Sequence, residues 1–361
     1  MSRHPRCLMR SPASAGLVLA MIGHLASVSP LAAAPPGAFK AGGWTGAAHP
    51  SDRGKPFEYC SATATNSKEI ALTLALDRNY RWRLSFSNPL WNFNDGSGIQ
   101  IVLRADKAQI FRGAAAAASP TTLEFRPEEP FNLFASLWSA GSLDVVAGGF
   151  GFDFELLGIS DALNAVTQCV WQRLGRAARA PARSAARTSE AARQEARAVA
   201  AMVIGYARFS DAGEPSVSAI QGEARAEWKT GLVTSSVEIV EGDQPALDAF
   251  TTAVIERDMR NCRGAVHLVK AAETINSTAL GRMFTSCLAP DAPVFVYQVA
   301  VPRPLGGYYL FASRAAAAIV SGAMQRRVGE VDARLREVVM TAIQQAEARR
   351  ARAQAGQPAD Q

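Results

Sequence analysis

Residues that commonly carry out catalysis or hold metals are scarce in this sequence. Its 361 residues include 4 histidines and 5 cysteines, and no two cysteines have the CxxC spacing of paired zinc ligands. Two of the histidines fall in the first 24 residues, which leaves His49 and His267 for the rest of the chain. A zinc site usually needs about four cysteine, histidine or carboxylate ligands. We therefore expect neither a metal nor a cofactor.

Catalytic sequence motifs are lacking as well. The chain has no nucleophile elbow, phosphate-binding loop or dinucleotide-binding fingerprint. His49, Ser51 and Asp52 occur together in HPSDRG, but triad members usually come from distant segments, and a polar loop explains their adjacency equally well. The sequence favours a protein that is not an enzyme. The alternative is a periplasmic hydrolase with an unrecognised active site, in which His49 or His267 acts as the base.

No apolar run is long enough to cross a membrane. The run AGLVLAMIGHLASV is short for a span and is interrupted by His24. Three arginines precede it and the small residues of PLAAAPPGAF follow it. This order predicts a secretory signal peptide over residues 1–34, with an uncleaved anchor as the alternative. We therefore expect an exported protein, periplasmic or secreted.

The cysteines beyond this leader are even in number: Cys60, Cys169, Cys262 and Cys287. In an exported chain that pattern favours disulfides. Four cysteines allow three connectivities, and an arginine-rich stretch divides them two and two. We predict Cys60–Cys169 and Cys262–Cys287. A catalytic thiol at Cys262, near His267 in sequence, is the alternative, and it would have to stay unpaired in an oxidising compartment.

Positive charge is concentrated in one internal stretch. The formal charge of the chain is +6, and residues 173–200 hold seven arginines against two glutamates. Once this stretch and the leader are set aside, the remaining chain is close to neutral. That weakens an interpretation as a nucleic-acid-binding protein, and we expect no nucleic-acid partner.

We interpret residues 173–200 as an arginine- and alanine-rich linker. Five of its arginines are spaced by three or four residues and would form one basic face of a helix: Arg173, Arg176, Arg179, Arg183 and Arg187. The functional interpretation is an electrostatic contact with an anionic envelope surface. The alternative is a solvated spacer, which the interruption at Pro181 and the absence of lysine favour.

Residues 40–172 alternate between apolar and polar side chains in short runs such as EIALTLAL and YRWRLSF. Period-two alternation predicts a half-buried antiparallel sheet, here a β-rich, sandwich-like domain. The segment SDALNAVTQCVWQRL predicts a closing helix with Ser160 as its N-cap. Its apolar face would carry Leu163, Val166, Val170 and Leu174.

Residues 44–172 also show a tryptophan and then a cysteine in an early strand, a run of strands, and FELLGISDALNAVTQCV. In these features they resemble the invasion-associated locus B family and related uncharacterised exported bacterial proteins. The resemblance implies a small periplasmic or surface-associated β domain without known enzymatic chemistry.

Residues 201–312 combine runs that have the pattern of strands with a run that has the spacing of a helix. GLVTSSVEIVEG, GAVHLVKAAE, PVFVYQVAVPRP and GGYYLFA are typical of strands, whereas QPALDAFTTAVIERDMRNC has helical spacing. We predict a small α+β domain with a sheet backed by a helix. The fold class expected for the whole chain is therefore α+β.

The C-terminal part predicts a long amphipathic helix over residues 313–350 and a disordered tail over 351–361. Apolar residues step by four and three along it: Met324, Val328, Val331, Leu335, Val338 and Ala342. This face either packs on its own domain or binds a protein partner or a second copy through residues 319–343. The sequence as a whole predicts an exported, non-catalytic binding or interaction protein.

Overall fold

The computed structural model describes residues 37–50, 57–127, 130–175, 189–207, 213–218, 224–275 and 277–316, together with residues 336, 339–341, 344 and 348. These residues belong to one compact unit. The predicted signal peptide over 1–34 and the predicted tail over 351–361 lie outside the described residues.

The first half of the chain forms a ten-stranded antiparallel sheet in the order β1-β2-β3-β4-β5-β8-β7-β6-β9-β10. The strands are β1 Phe39–Ala41, β2 Trp44–Pro50, β3 Phe57–Thr65, β4 Ala71–Asp77, β5 Trp82–Ser87, β6 Gly98–Ala105, β7 Ala108–Ser119, β8 Thr122–Phe125, β9 Ser142–Ala147 and β10 Phe150–Glu155. Helix α1, Pro130–Leu137, connects β8 to β9, and helix α2, Ile159–Gly175, follows β10.

The first sheet bends back on itself. Its inner face carries alternate large side chains, as on β5, where Trp82, Leu84 and Phe86 are buried. The Phe86 ring lies 5.5 Å from the ring of Phe152 and 6.0 Å from that of Phe154, both on the last strand of the sheet. This closure of β5 onto β10 gives the sandwich-like arrangement expected from the alternating pattern.

Helix α2 closes the bent sheet against its first four strands. Leu163, Val166 and Val170 are fully buried, as their helical spacing predicts. The helix begins at Ile159, so Ser160 lies in its first turn and not at the N-cap. Gly158 precedes it at φ +73°, and a Cβ there would stand 2.8 Å from the Cα of Gly42, which is too close for any side chain.

The second half forms a seven-stranded antiparallel sheet in the order β11-β12-β13-β17-β16-β15-β14. Its strands are β11 Ser216–Ser218, β12 Ala224–Thr230, β13 Val233–Val240, β14 Ala265–Ile275, β15 Thr278–Leu288, β16 Val294–Pro302 and β17 Tyr308–Ala316. Helix α3, Glu190–Ala207, packs on β12 and β13, and helix α4, Leu247–Asn261, packs mainly on β15.

The predicted α+β fold class is wrong. The described residues are mostly β, in two antiparallel sheets, with helices α1 to α4 packed on them. The pattern predicted β13, β14, β16 and β17 but missed other strands of the second half, because a strand that is covered on both faces loses the alternation that marks a half-buried strand. In β15, for example, seven successive residues from Leu280 to Ser286 are buried.

The predicted long C-terminal helix is a second correction. Strand β17 continues to Ala316, so the first residues of the predicted 313–350 helix are paired in the sheet with β16. No long C-terminal helix is evident in the part of the chain that the structure describes. The apolar seam from Met324 to Ala342 lies outside the described residues.

The predicted linker over residues 173–200 is partly helical and packed. Helix α2 extends to Gly175, residues 176–188 lie outside the described part, and α3 begins at Glu190. Ser189 caps α3, because its Oγ accepts the main-chain N–H of Ala192 at 3.0 Å. The small residues of α3 form its buried face: Ala192, Ala196, Val199, Ala200 and Val203.

The two sheets share one hydrophobic core. A single cluster of buried side chains contains Leu84 of the first sheet together with Leu268 and Phe284 of the second. Strand β14 is the last strand of its sheet, and two side chains from the first half of the chain cap it by bonding to its main chain. The Trp82 Nε1–H donates to the Leu268 carbonyl at 2.7 Å, and the Asn164 Oδ1 accepts the Val266 N–H at 3.0 Å.

Candidate functional site

All four cysteines of the described chain form disulfides. Cys60 is bonded to Cys169 and Cys262 to Cys287, as the sequence predicts, with Cα–Cα distances of 6.2 Å and 5.6 Å. Because its sulfur is bonded to that of Cys287, Cys262 offers no thiolate for a nucleophilic attack on a substrate.

His267 lies in the interior, where the two sheets meet. It is 3% exposed, its ring stacks on Trp138 at 4.8 Å, and its Nε2 lies 3.2 Å from the carbonyl oxygen of Ser160. Burial lowers its pKa below the ordinary value. A neutral, enclosed imidazole cannot reach an external substrate, so this histidine acts as a packing residue.

His49 lies on the outer face of the first sheet, beside a groove of about 550 Å³ between β1 and β3. Its Nε2 is 2.8 Å from the Oγ of Ser61, and its ring stacks on Tyr59 at 4.3 Å. Burial and the nearby Arg83 guanidinium lower its pKa. A neutral imidazole at this distance can accept a hydroxyl proton, which is the first requirement for a serine nucleophile.

The surroundings of Ser61 favour a structural role for this pair. Ser61 lies in the middle of β3, which is paired on one side with β2 and on the other with β4. Main-chain N–H groups of such a strand serve the sheet and are not available to stabilise an oxyanion. The other two residues of the predicted adjacency, Ser51 and Asp52, lie outside the described residues.

A cleft of about 560 Å³ opens where the two sheets meet. One wall is the β4–β5 turn with the start of β5, a second is the segment after β8, and a third is strand β14. The lining residues are Glu58, Asp77, Arg78, Asn79, Arg81, Trp82, Arg83, Arg126, Pro127, Pro130, Lys270, Ala271 and Ala272. We call this region the junction cleft.

Cationic side chains predominate in the junction cleft, and neighbouring carboxylates hold most of them in place. Asp248 pairs with both Arg81, at 2.8 Å, and Lys270, at 3.1 Å. Glu124 pairs with both Arg83, at 3.7 Å, and Arg126, at 3.4 Å. Each of the two carboxylates is therefore shared between two cations and neutralises only part of their charge.

Lys270 is the most enclosed of these cations, at 5% exposure. Its ammonium also donates to the main-chain oxygen of Asp248 at 2.9 Å and to the Thr252 hydroxyl at 2.7 Å. Burial lowers the pKa of Lys270, and Asp248 opposes that shift. Burial would raise the pKa of Asp248, but Lys270 and Arg81 keep it below the ordinary value. Each partner therefore favours the charged form of the other.

No pattern in the sequence indicated that these cations lie together. Arg78, Arg81 and Arg83 fall within DRNYRWR, a segment in which the residues DRN indicate only a turn. Their convergence with Lys270 depends on the packing of the two sheets. The predicted anion contact lies elsewhere: Arg173 is exposed near the end of α2, and Arg176, Arg179, Arg183 and Arg187 lie outside the described residues.

The predicted partner-binding segment, residues 319–343, is described at only a few positions. Val339 and Met340 are buried in the cluster that also contains Val199 and Val203 of α3. Arg336 donates to Glu273 of β14. These contacts place the described positions of the segment against the second sheet of the same chain.

Among the described residues, no group of three or more histidine, cysteine or acidic side chains could hold a metal ion. None of the helices in the described part of the chain has both the length and the apolar character needed to cross a membrane.

No family model matches the chain, and no curated protein matches it. Among solved structures, the chain has a weak resemblance to invasion associated protein B from Bartonella henselae, at 14% identity and a TM-score of 0.28, over 36% of this chain and 95% of that chain. A likeness at this level carries no argument about function.

Proposed function

We propose that this chain is an exported binding protein, periplasmic or secreted, that holds a ligand in the junction cleft and catalyses no reaction. The observation that carries the proposal is the cleft itself, whose walls come from both sheets and whose cations are positioned by shared ion pairs. Groups positioned before a ligand arrives lose little freedom on binding it. The cleft volume falls within the range usual for small-molecule sites.

Export is supported by the two disulfides. Such bonds persist in oxidising compartments and are rare in the cytosol. One of them closes a stretch of 109 residues and ties helix α2 to the third strand of the sheet that this helix closes.

Filling the cleft tests the proposal. Ala272 is exposed on β14 and lines the cleft, so Ala272→Trp should block the cleft without entering the core. Thr274, exposed two residues further along the same strand, offers the control Thr274→Trp. Native mass spectrometry of protein purified from the periplasm should show a bound small molecule in the wild type and in the control, but not in Ala272→Trp. A ligand that persists in Ala272→Trp would contradict the proposal.

Two further contacts remain proposals. The basic face formed by Arg173, Arg176, Arg179, Arg183 and Arg187 would bind an anionic envelope surface, and residues 319–343 would bind a protein partner or a second copy. Co-sedimentation with anionic vesicles at physiological salt tests the first contact. Affinity capture with and without residues 317–361, a truncation that keeps strand β17 whole, tests the second, with circular dichroism to confirm that the shortened chain is folded.

A hydrolase is the second candidate function, favoured by the 2.8 Å contact between His49 and Ser61. Its test is the rate of p-nitrophenyl acetate hydrolysis by Ser61→Ala, with Thr63→Ala in the same groove as the control. If the pair is catalytic, Ser61→Ala loses the activity and Thr63→Ala keeps it. The binding proposal expects no difference between the two variants.

A further inference from the structure

We infer that the ligand of the junction cleft is a small organic anion that presents a carboxylate or phosphate group to arginine. This inference rests on the proposed function, because it names the class of ligand for the same cleft. It follows from the charge of the cleft, from the cations that remain available, and from the size and apolar surface of the cleft.

Cations outnumber carboxylates among the described residues of the cleft. Five cations line it, whereas Glu58 and Asp77 are the carboxylates in its lining and Glu124 and Asp248 pair with its cations from outside. Among the residues that the structure describes, five cations against four carboxylates leave one positive charge. The Asp77 Oδ1 also accepts the main-chain N–H groups of Asn79 and Arg81, at 2.8 Å and 2.9 Å. That carboxylate is therefore already engaged within the β4–β5 turn.

Two arginines are available to a ligand. Arg78 is exposed and its guanidinium makes no ion pair within the part of the chain that the structure describes. The Arg126 side chain is 73% exposed, and it shares Glu124, its one carboxylate partner among the described residues, with Arg83. A guanidinium presents donors in a planar fork that matches the two oxygens of a carboxylate or phosphate. Arg81, Arg83 and Lys270 are held more firmly and supply the surrounding positive field.

The remaining surface limits the size and character of the ligand. Trp82, Pro127, Pro130 and the two alanines of β14 give the cleft apolar walls. A volume of about 560 Å³ suits a molecule of metabolite size. A molecule with an anionic group and an apolar part would use both the arginines and the walls.

Titration calorimetry with citrate and with inorganic pyrophosphate, at equal ionic strength set with chloride, tests the inference. The carboxylate and phosphate probes separate the two sources of the anionic group. We expect at least one probe to bind the wild-type protein, and the double variant Arg78→Gln with Arg126→Gln to bind it about tenfold more weakly. The control Arg112→Gln, an exposed arginine of β7 outside the cleft, should bind as the wild type does.

Equal affinity in the double variant and the wild type would overturn the inference, and so would the absence of binding by both probes. Both arginines are exposed, so circular dichroism and the melting temperature should confirm that the double variant is folded. A ligand seen by mass spectrometry, and lost in Ala272→Trp, would still support a binding cleft if neither anion bound. The two proposals therefore fail by different results.

Discussion

Burial separates the two described histidines into different chemical environments. His267 is enclosed by Trp138 and the Ser160 carbonyl, so its imidazole is held neutral inside the fold. His49 is half-buried on the outer face of the first sheet and contacts the Ser61 hydroxyl. A buried imidazole that is neutral in the folded chain makes stability depend on pH, because the unfolded chain can protonate it.

The free energy of unfolding should fall as the pH falls below the range in which an unfolded histidine titrates. The imidazole of His267 titrates near 6.5 in the unfolded chain and lower in the folded chain. Below pH 6.5 the unfolded state therefore binds more protons, and the free energy of unfolding should fall by up to about 1.4 kcal/mol for each pH unit. Urea denaturation between pH 7.5 and 5 should show this fall in the wild type and a smaller one in His267→Phe.

His49→Gln serves as the comparison for this prediction, since it removes the other described histidine. Its effect on the pH dependence should be smaller than that of His267→Phe because His49 is less buried. An unchanged pH dependence in His267→Phe would show that the buried imidazole is not the group responsible.

At the scale of the element, helix α3 shows that an alanine- and arginine-rich sequence can form a helix that packs on a sheet. Alanine has the highest helix propensity and gives a smooth face that packs closely on a sheet. The acidic residues of the same stretch have unequal roles. Glu195 accepts from Arg303 at 2.8 Å and from the Tyr309 hydroxyl at 2.5 Å, whereas Glu190 is 69% exposed and pairs with Arg193 on the surface.

These two glutamates offer a matched comparison on one helix. Glu195→Ala leaves the Arg303 guanidinium, which is 4% exposed, without its carboxylate. We expect it to lower the free energy of unfolding by about 3–5 kcal/mol. Glu190→Ala should change it by less than about 0.5 kcal/mol. Urea unfolding monitored by circular dichroism measures both, and equal effects would contradict the assigned role of Glu195.

The strands differ in how well the sequence could predict them. Strands such as β4 and β5 were predictable because one face is buried and the other is not. Strand β15 was not, because both of its faces are covered. The alanine run of β7 favours a helix by propensity, yet it pairs with β6 and β8, so tertiary pairing overrides the local preference.

The candidate site was less predictable than the strands. The disulfide pairs followed from the even distribution of the cysteines along the chain. The cleft cations did not, since Arg81 and Lys270 are brought to one carboxylate by the packing of two sheets that are distant in sequence.

At the scale of the whole molecule, the two sheets are joined by a shared interior. Trp138 of the first half stacks between His267 and Phe284 of the second, at 4.8 Å and 5.1 Å. The Arg282 guanidinium lies 4.3 Å from the ring centre of Phe131 on α1. Contacts of this kind couple the stability of one sheet to that of the other.

We therefore expect residues 35–361 to unfold in a single cooperative transition. Scanning calorimetry should give one peak for the wild type, and Trp138→Ala should split or broaden it by removing the stacked ring between the sheets. Trp171→Phe, a partly buried tryptophan that packs against the core from α2, is the control and should keep one peak. Two separate peaks in the wild type would show that the halves are independent.

The capping of β14 by Trp82 and Asn164 bears on the order in which the chain is made. A strand at the end of a sheet can recruit a strand from another molecule unless its main-chain groups are covered. Translation produces both capping residues well before Val266 and Leu268, so the nascent chain carries its cap before the vulnerable strand emerges. A circular permutant in which the second half is synthesised first would reverse that order of synthesis. Strand β14 would then be uncovered until the ribosome has made Trp82 and Asn164.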